Sequence, residues 1–151
     1  MPTRTSALLI LLLALILGAY YVNDVISSAR RIEVRLAGAE LRGASLEKAT
    51  IDFLLNVTNP TGYGYEAELV KYDIYLQDIR IGNGSIEGVK LPPKSSVMEH
   101  AITEIRYSEL SGALLSALMS GRFEVNVTGY VRVKALIFPV DLRFSEVRSF
   151  P

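Results

Sequence analysis

Across residues 122–134 the side chains alternate with a period of two: Phe123, Val125, Val127, Val131 and Val133 fall on one side, Glu124, Asn126, Thr128, Arg132 and Lys134 on the other. A helix would scatter such a set around its circumference, whereas a strand sends successive side chains to opposite faces, so this stretch reads as a β-strand with one buried face. A lone strand can neither bury that face nor pair its backbone groups, so partners of the same kind are required. Residues 50–58 supply one, with Ile51, Phe53, Leu55 and Val57 alternating against Thr50, Asp52, Asn56 and Thr58 as the solvent-facing set.

Two phase shifts refine the pattern. Beyond Ala135 the apolar set becomes Leu136, Phe138, Val140, Leu142 and Phe144, which implies a bend or turn near residues 134–136, and Pro139, lacking an N–H, suits an edge strand. In residues 65–76, Tyr65, Ala67 and Leu69 are in one phase and Val70, Tyr72, Ile74 and Leu76 in the other, so a bulge is expected near Leu69 and Val70. Shorter strands are expected at residues 32–36, 79–86 and 97–105, punctuated by Asn59-Pro60, Gly62, Gly64, Asn83-Gly84 and Pro92-Pro93. The one helical pattern in this part of the chain is residues 108–120, where Leu110, Leu114, Ala117 and Leu118 recur at three-to-four spacing between an N-cap at Ser108 and Gly121 at the far end. About seven strands and one helix, without the alternating helices a parallel sheet needs, favour an antiparallel β-sandwich.

Ahead of these strands lies a segment of another kind. No charge falls between Arg4 and Asp24, and residues 7–22 read ALLILLLALILGAYYV. As a helix, residues 5–23 span about 28 Å at about 1.5 Å per residue, close to the ~30 Å hydrocarbon thickness of a bilayer. Tyr20 and Tyr21 suit the headgroup boundary. Residues 1–29 are therefore expected to be a transmembrane anchor with its flanks, contacting membrane lipid, and residues 31–151 a separate domain. A cleaved signal peptide is the alternative, with Ser27-Ser28-Ala29 as its small-residue site. Arg4 before the segment is set against Arg30, Arg31 and Arg35 after it, so charge does not fix the side on which the domain lies. The sequons at Asn56, Asn83 and Asn126 tilt the expectation towards an extracytoplasmic domain on a single-pass cell-membrane protein, with these three as possible glycosylation sites.

Composition narrows the function. Half the residues are hydrophobic and only 21% charged, which a disordered hydrophilic shield would not show. Sixteen basic residues balance sixteen acidic ones, leaving no electrostatic footprint for nucleic acid. With no cysteine and one histidine, thiolate chemistry and histidine-rich metal sites are excluded. His100 stands in no nucleophile motif and reads as a solvent-facing or hydrogen-bonded structural residue. The glycines of residues 82–88 have the spacing GxGxxxG and lead into strand, unlike a phosphate loop. Glu66 and Glu68 beside Lys71 read as a solvated face, and Asp73 and Asp78 make no cage with them. No catalytic, cofactor or metal residue is assigned, and no cofactor is expected. Tyr63, Tyr65, Tyr72 and Tyr75 crowd near the Asn59 loop, where packing accounts for most of them and an exposed ring can meet a partner.

The succession LNVTNP (residues 55–60), YDIYLQDIRIGNGSIEG (residues 72–88), LPP (residues 91–93), a helix and then FEVNVTGYVRV resembles the WHy (water stress and hypersensitive response) domain of the late embryogenesis abundant group 2 family, in its membrane-anchored prokaryotic and archaeal form. The resemblance covers residues 32–144. It implies an immunoglobulin/fibronectin III-like sandwich with one flanking helix, a role in desiccation or other stress, and no catalytic residues. Position by position, the family's motif falls on Asn59 and Pro60, on the strand residues Tyr72, Ile74 and Leu76, and on the hairpin residues Ile81, Gly82 and Gly84. One departure is Gln77-Asp78, where many members carry an Asn-Gly-like turn. Asn59-Pro60 has a local rationale, because proline ends strand pairing and asparagine bonds its own backbone in a turn.

The expected function is therefore a membrane-anchored, non-enzymatic stress-protection module acting through a folded surface on protein or lipid clients. The alternative is a lipid-binding or lipid-handling module at the membrane surface, which a groove open to an acyl chain would favour.

Overall fold

Alternation and turn residues produce seven strands. The structure is a computed structural model and describes residues 3–150. Helix α1 (Arg4–Ala29) precedes β1 (Glu33–Ala44), β2 (Lys48–Asn59), β3 (Tyr65–Leu76), β4 (Ile79–Leu91) and β5 (Ser95–Arg106); a 3₁₀ turn (Tyr107–Glu109) and helix α2 (Gly112–Ser120) lead to β6 (Phe123–Ala135) and β7 (Phe138–Phe150). The strands form two sheets, β1-β2-β5 and β4-β3-β6-β7, and every pairing is antiparallel. The chain changes sheet at β2–β3, β4–β5 and β5–β6, which gives the expected immunoglobulin/fibronectin III-like sandwich.

The inward phases read from the sequence meet between the sheets. Phe53, Ile74, Val125, Val127 and Val133 are fully buried, and each such side chain contributes about 1.5–3 kcal/mol of transfer free energy. The phase slip in β3 is a register shift against β6 between Ala67 and Leu69. The shift after Ala135 is a two-residue turn at Leu136-Ile137, with Leu136 in the left-handed region at φ 60°. Pro139 lies on β7, an edge strand whose ladder pairs with β6. Gln77 and Asp78, at φ 50° and 67°, make the β3–β4 connection in the doubly left-handed form of a type I′ turn, so the departure from Asn-Gly keeps the geometry without the glycine.

Three expected bounds are corrected, the first being β4, which runs to Leu91 instead of ending at residue 86. The N-cap of α2 is Ser111, whose hydroxyl accepts from the Leu114 N–H; Ser108 lies in the 3₁₀ turn, and an extended Leu110 separates the two. Gly121 ends the helix at φ 74°. Strand β1 continues to Ala44 instead of stopping at Leu36, because register shifts at Leu36/Gly38 and Leu41/Gly43 break the alternation without breaking the pairing. The Arg148 guanidinium of β7 donates to the carbonyls of Leu36 and Ala37 beside the first shift.

Helix α1 is apolar and exposed from Leu8 to Tyr21, and is long and apolar enough to cross a membrane. Its last turns differ: Val25 and Ala29, four residues apart on one face, join the core of the sandwich.

Candidate functional site

Two loops meet at the α1 end of the sandwich, and Asn59 ties them together. Its side chain is fully buried. Its Nδ2 lies 2.7 Å from the Tyr63 carbonyl, 3.1 Å from that of Leu91 and 3.0 Å from that of Pro92. Its Oδ1 accepts from the Thr61 N–H at 3.1 Å and the Thr61 hydroxyl at 2.7 Å. Pro60 follows on the surface. One amide thus bridges backbone groups of the β2–β3 and β4–β5 loops, where the Thr61 and Ser95 hydroxyls also donate to the Tyr63 and Pro92 carbonyls.

That hub presents two tyrosines to α1. The Tyr65 hydroxyl donates to the Val25 carbonyl at 2.5 Å, and the Tyr63 hydroxyl to the Asp24 carboxylate at 2.5 Å. The Tyr63 ring meets Tyr21 edge-on at 6.0 Å between centroids and Tyr65 at 6.4 Å. The bond to Asp24, with burial added, pushes the Tyr63 hydroxyl up from 10.0 to about 12; burial raises Tyr65 as well. A flexible tether would need none of this. The tyrosines were singled out in the sequence, but Asp24 and Val25, some forty residues away, were not.

The other family-motif residues build β3 and β4. Tyr72, Ile74 and Leu76 are buried, and Tyr72 stands opposite Gly84, Ile74 opposite Gly82. A Cβ at Gly84 would collide with the Tyr72 ring, and one at Gly82 would sit 2.5 Å from Thr103 of the facing sheet, so these glycines set how closely β4 approaches its neighbours. Ile81, half-buried, packs against the core. Of the sequon asparagines, Asn83 is exposed on edge strand β4, whereas Asn56 and Asn126 are half-buried on β2 and β6, Asn126 accepting from Ser145 at 3.3 Å. Glu66, Glu68 and Lys71 are exposed, and Asp73 pairs with Arg80 at 2.9 Å.

Asp52 departs from its expected place. Alternation puts it in the solvent-facing set of β2, yet it is only 1% exposed. The reason is cross-strand cover: β2 is central in its sheet, and Arg42 of β1 and His100 of β5 close over the carboxylate, with Arg42 Nη2 at 2.5 Å and His100 Nδ1 at 2.8 Å from Oδ2. Burial pushes this carboxyl up, but the hydrogen bonds from Arg42 and His100 outweigh it and hold the group below its ordinary value. His100 is thus hydrogen-bonded and half-exposed, with no hydroxyl bonded to its ring among the described residues.

At the opposite end from α1, a cavity of about 500 Å³ opens between β1, β2 and α2. Its walls include Leu41, Ile51, Tyr107, Leu118, Met119 and Phe123. Ala39, Leu41 and Ala44 on its wall flank the register shifts of β1.

Comparison with known proteins gives the same picture. Residues 54–147 match the family model LEA_2, late embryogenesis abundant protein. A protein from Archaeoglobus fulgidus is similar in structure at TM-score 0.51 and 15% identity, over 78% of this chain and 94% of that one. The Arabidopsis thaliana protein AT1g01470 is similar at TM-score 0.55 and 14% identity, over 79% of this chain and 82% of its own. A search of curated proteins gives no match.

Proposed function

Because the chain belongs to the late embryogenesis abundant (LEA_2) family, we propose that it is a membrane-anchored, single-pass stress-protection module of the WHy type, non-enzymatic, acting through the folded surface of its sandwich. Family membership supports a stress-related role. The observation that carries the anchored reading is the junction at Tyr63 and Tyr65: an exposed apolar helix continues directly into a helical segment whose Asp24, Val25 and Ala29 are bonded to or buried in the sandwich. A helix so joined delivers the domain to the bilayer in a set pose, on the extracytoplasmic side by the sequon argument. Protection then depends on both fold and tether. Survival of cells through drying and rehydration, at matched protein abundance, tests this with the full chain, a form lacking residues 1–29 and Val127→Asp, which places a charge at a fully buried site. The account expects both variants to lose protection. Full protection by Val127→Asp would refute the role of the fold, and full protection by the truncated form the role of the tether.

The α2-end cavity favours a second reading, a lipid-handling module that takes an acyl chain between β1 and α2. Mass spectrometry of the purified full chain separates the two: co-purifying lipid lost in Ala49→Phe, which fills the cavity wall, supports lipid handling, and a lipid-free protein supports protection alone.

A further inference from the structure

The two tight hairpins of the four-stranded sheet lie at opposite ends and are chemically unlike. At the α2 end the β3–β4 turn is Gln77-Asp78, both left-handed and both polar, as such turns ordinarily are. At the α1 end the β6–β7 turn is Leu136-Ile137, with Leu136 held at φ 60°, a conformation that branched apolar side chains rarely adopt. Leu136, Ile137 and Phe138 are 42%, 79% and 46% exposed, three consecutive large apolar residues presented to solvent. Single exposed leucines such as Leu46 need no explanation; a contiguous apolar tip in a strained turn does.

Its position supplies the explanation. Leu136 shares a cleft with Gly64, Tyr65 and Leu91, and Tyr65 is bonded to Val25 of α1. Helix α1 packs against both β6 and β7. The tip therefore lies at the same end of the sandwich as the junction with α1, where the apolar run of the helix ends in Asn23 and Asp24. Lys90 and Lys134 line the same cleft, with Glu66 between them, and exposed Lys94 sits on the adjoining loop.

We propose that the β6–β7 tip is a second membrane contact: Leu136, Ile137 and Phe138 enter the interfacial layer of the bilayer that α1 crosses, while Lys94 and Lys134 meet its headgroups. Two points of attachment, α1 and the tip, then fix the tilt of the sandwich. The inference rests on the anchored reading above, and the occupant is lipid because the apolar tip lies at the end of the sandwich where α1 is joined through Tyr65 and is flanked by lysines.

The chain contains no tryptophan, so a single introduced one reports its own surroundings. Three full-length variants, Ile137→Trp, Gln77→Trp and Ala14→Trp, are reconstituted in vesicles of phosphatidylcholine and phosphatidylglycerol, with lipids brominated either near the glycerol or near the chain end. Ile137→Trp is expected to emit to the blue of Gln77→Trp and to be quenched several-fold more strongly by the shallow bromines. Ala14→Trp is expected to be quenched by the deep ones. Quenching of Ala14→Trp without that of Ile137→Trp leaves the anchor standing and overturns the tip contact. Blue emission from Ile137→Trp that bromines do not quench means a protein occupant, a second copy if the shift falls on dilution into excess lipid, and also overturns it. Absence of deep quenching in Ala14→Trp overturns the anchored reading and the tip contact together.

Discussion

The two ends of the sandwich are built to different specifications. At the α1 end a buried asparagine, two loops and two tyrosine hydroxyls leave backbone groups paired and the helix held at Asp24 and Val25. At the α2 end β1 twists through two register shifts, a nine-residue helix spans the gap, and an apolar cavity remains. Polar networks that are fully satisfied specify one arrangement, whereas a lightly packed apolar contact can be repacked at low cost. The contrast assigns coupling to the first end and adaptability to the second.

The strongest way to break that contrast is Asn59→Ala. It removes the side-chain partners of the buried Thr61 N–H and of the Leu91 carbonyl, while the Tyr63 and Pro92 carbonyls keep hydroxyl donors; an unpaired buried group costs about 1–3 kcal/mol, so a loss of about 3 kcal/mol in denaturant unfolding is expected. A loss comparable with that of an exposed substitution would mean that the hub holds nothing.

Acid sharpens the picture in the middle of the three-stranded sheet. The carboxyl of Asp52 is held below its ordinary value of 3.8 in the folded protein, so its contribution to stability is present above that value and is lost as pH falls through it towards the lower folded one. Stability should be flat from neutral pH to about pH 5 and decline below, and Asp52→Asn should be less stable at neutral pH but lose the part of the acid dependence that Asp52 supplies. A decline of unchanged size in the variant would assign it to other carboxylates.

Alkali tests the α1 end through Tyr63. The Tyr63 hydroxyl, raised from 10.0 to about 12, favours the neutral, folded form, so its contribution is complete below pH 10.0 and disappears as pH rises to about 12. Absorbance titration should show late-ionising tyrosines, Tyr63 among them beside the buried Tyr65 and Tyr72, and Tyr63→Phe should remove one of them. The smallest effect is expected at the other end: Met119→Ala, at an 80% exposed position on the cavity rim, should change stability by less than about 0.5 kcal/mol.

This difference between the ends also governed what was legible in the sequence. Regular alternation revealed β2 and β6, because both are central strands paired over their length. The outer half of β1 was hidden because its register shifts rotate Gly38–Ala44 off the period. The α2 cap was misplaced because Ser108 and Ser111 both precede apolar residues, and only the extended Leu110 between them decides which serine caps. Asp52 was misassigned because a period of two says which face a side chain takes, not what crosses over it; Arg42 and His100 arrive from strands 10 and 48 residues away. The loop at Asn59-Pro60 was visible as a turn and as a family motif. Its bonds to Leu91 and Pro92, and those of its tyrosines to α1, depend on tertiary neighbours that local sequence does not encode.

Coupling between α1 and the sandwich is the claim on which the rest depends, and the absence of cysteine makes it directly measurable. Spin labels at Asn23→Cys on α1 and Ser85→Cys on β4, both exposed positions, report the separation of helix and domain by pulsed electron resonance in the full-length protein in lipid nanodiscs. The account predicts one narrow distance distribution that broadens when Tyr63→Phe and Tyr65→Phe are combined. A broad distribution in the otherwise unaltered chain, unchanged by the two substitutions, would show a domain swinging on a tether and would contradict it.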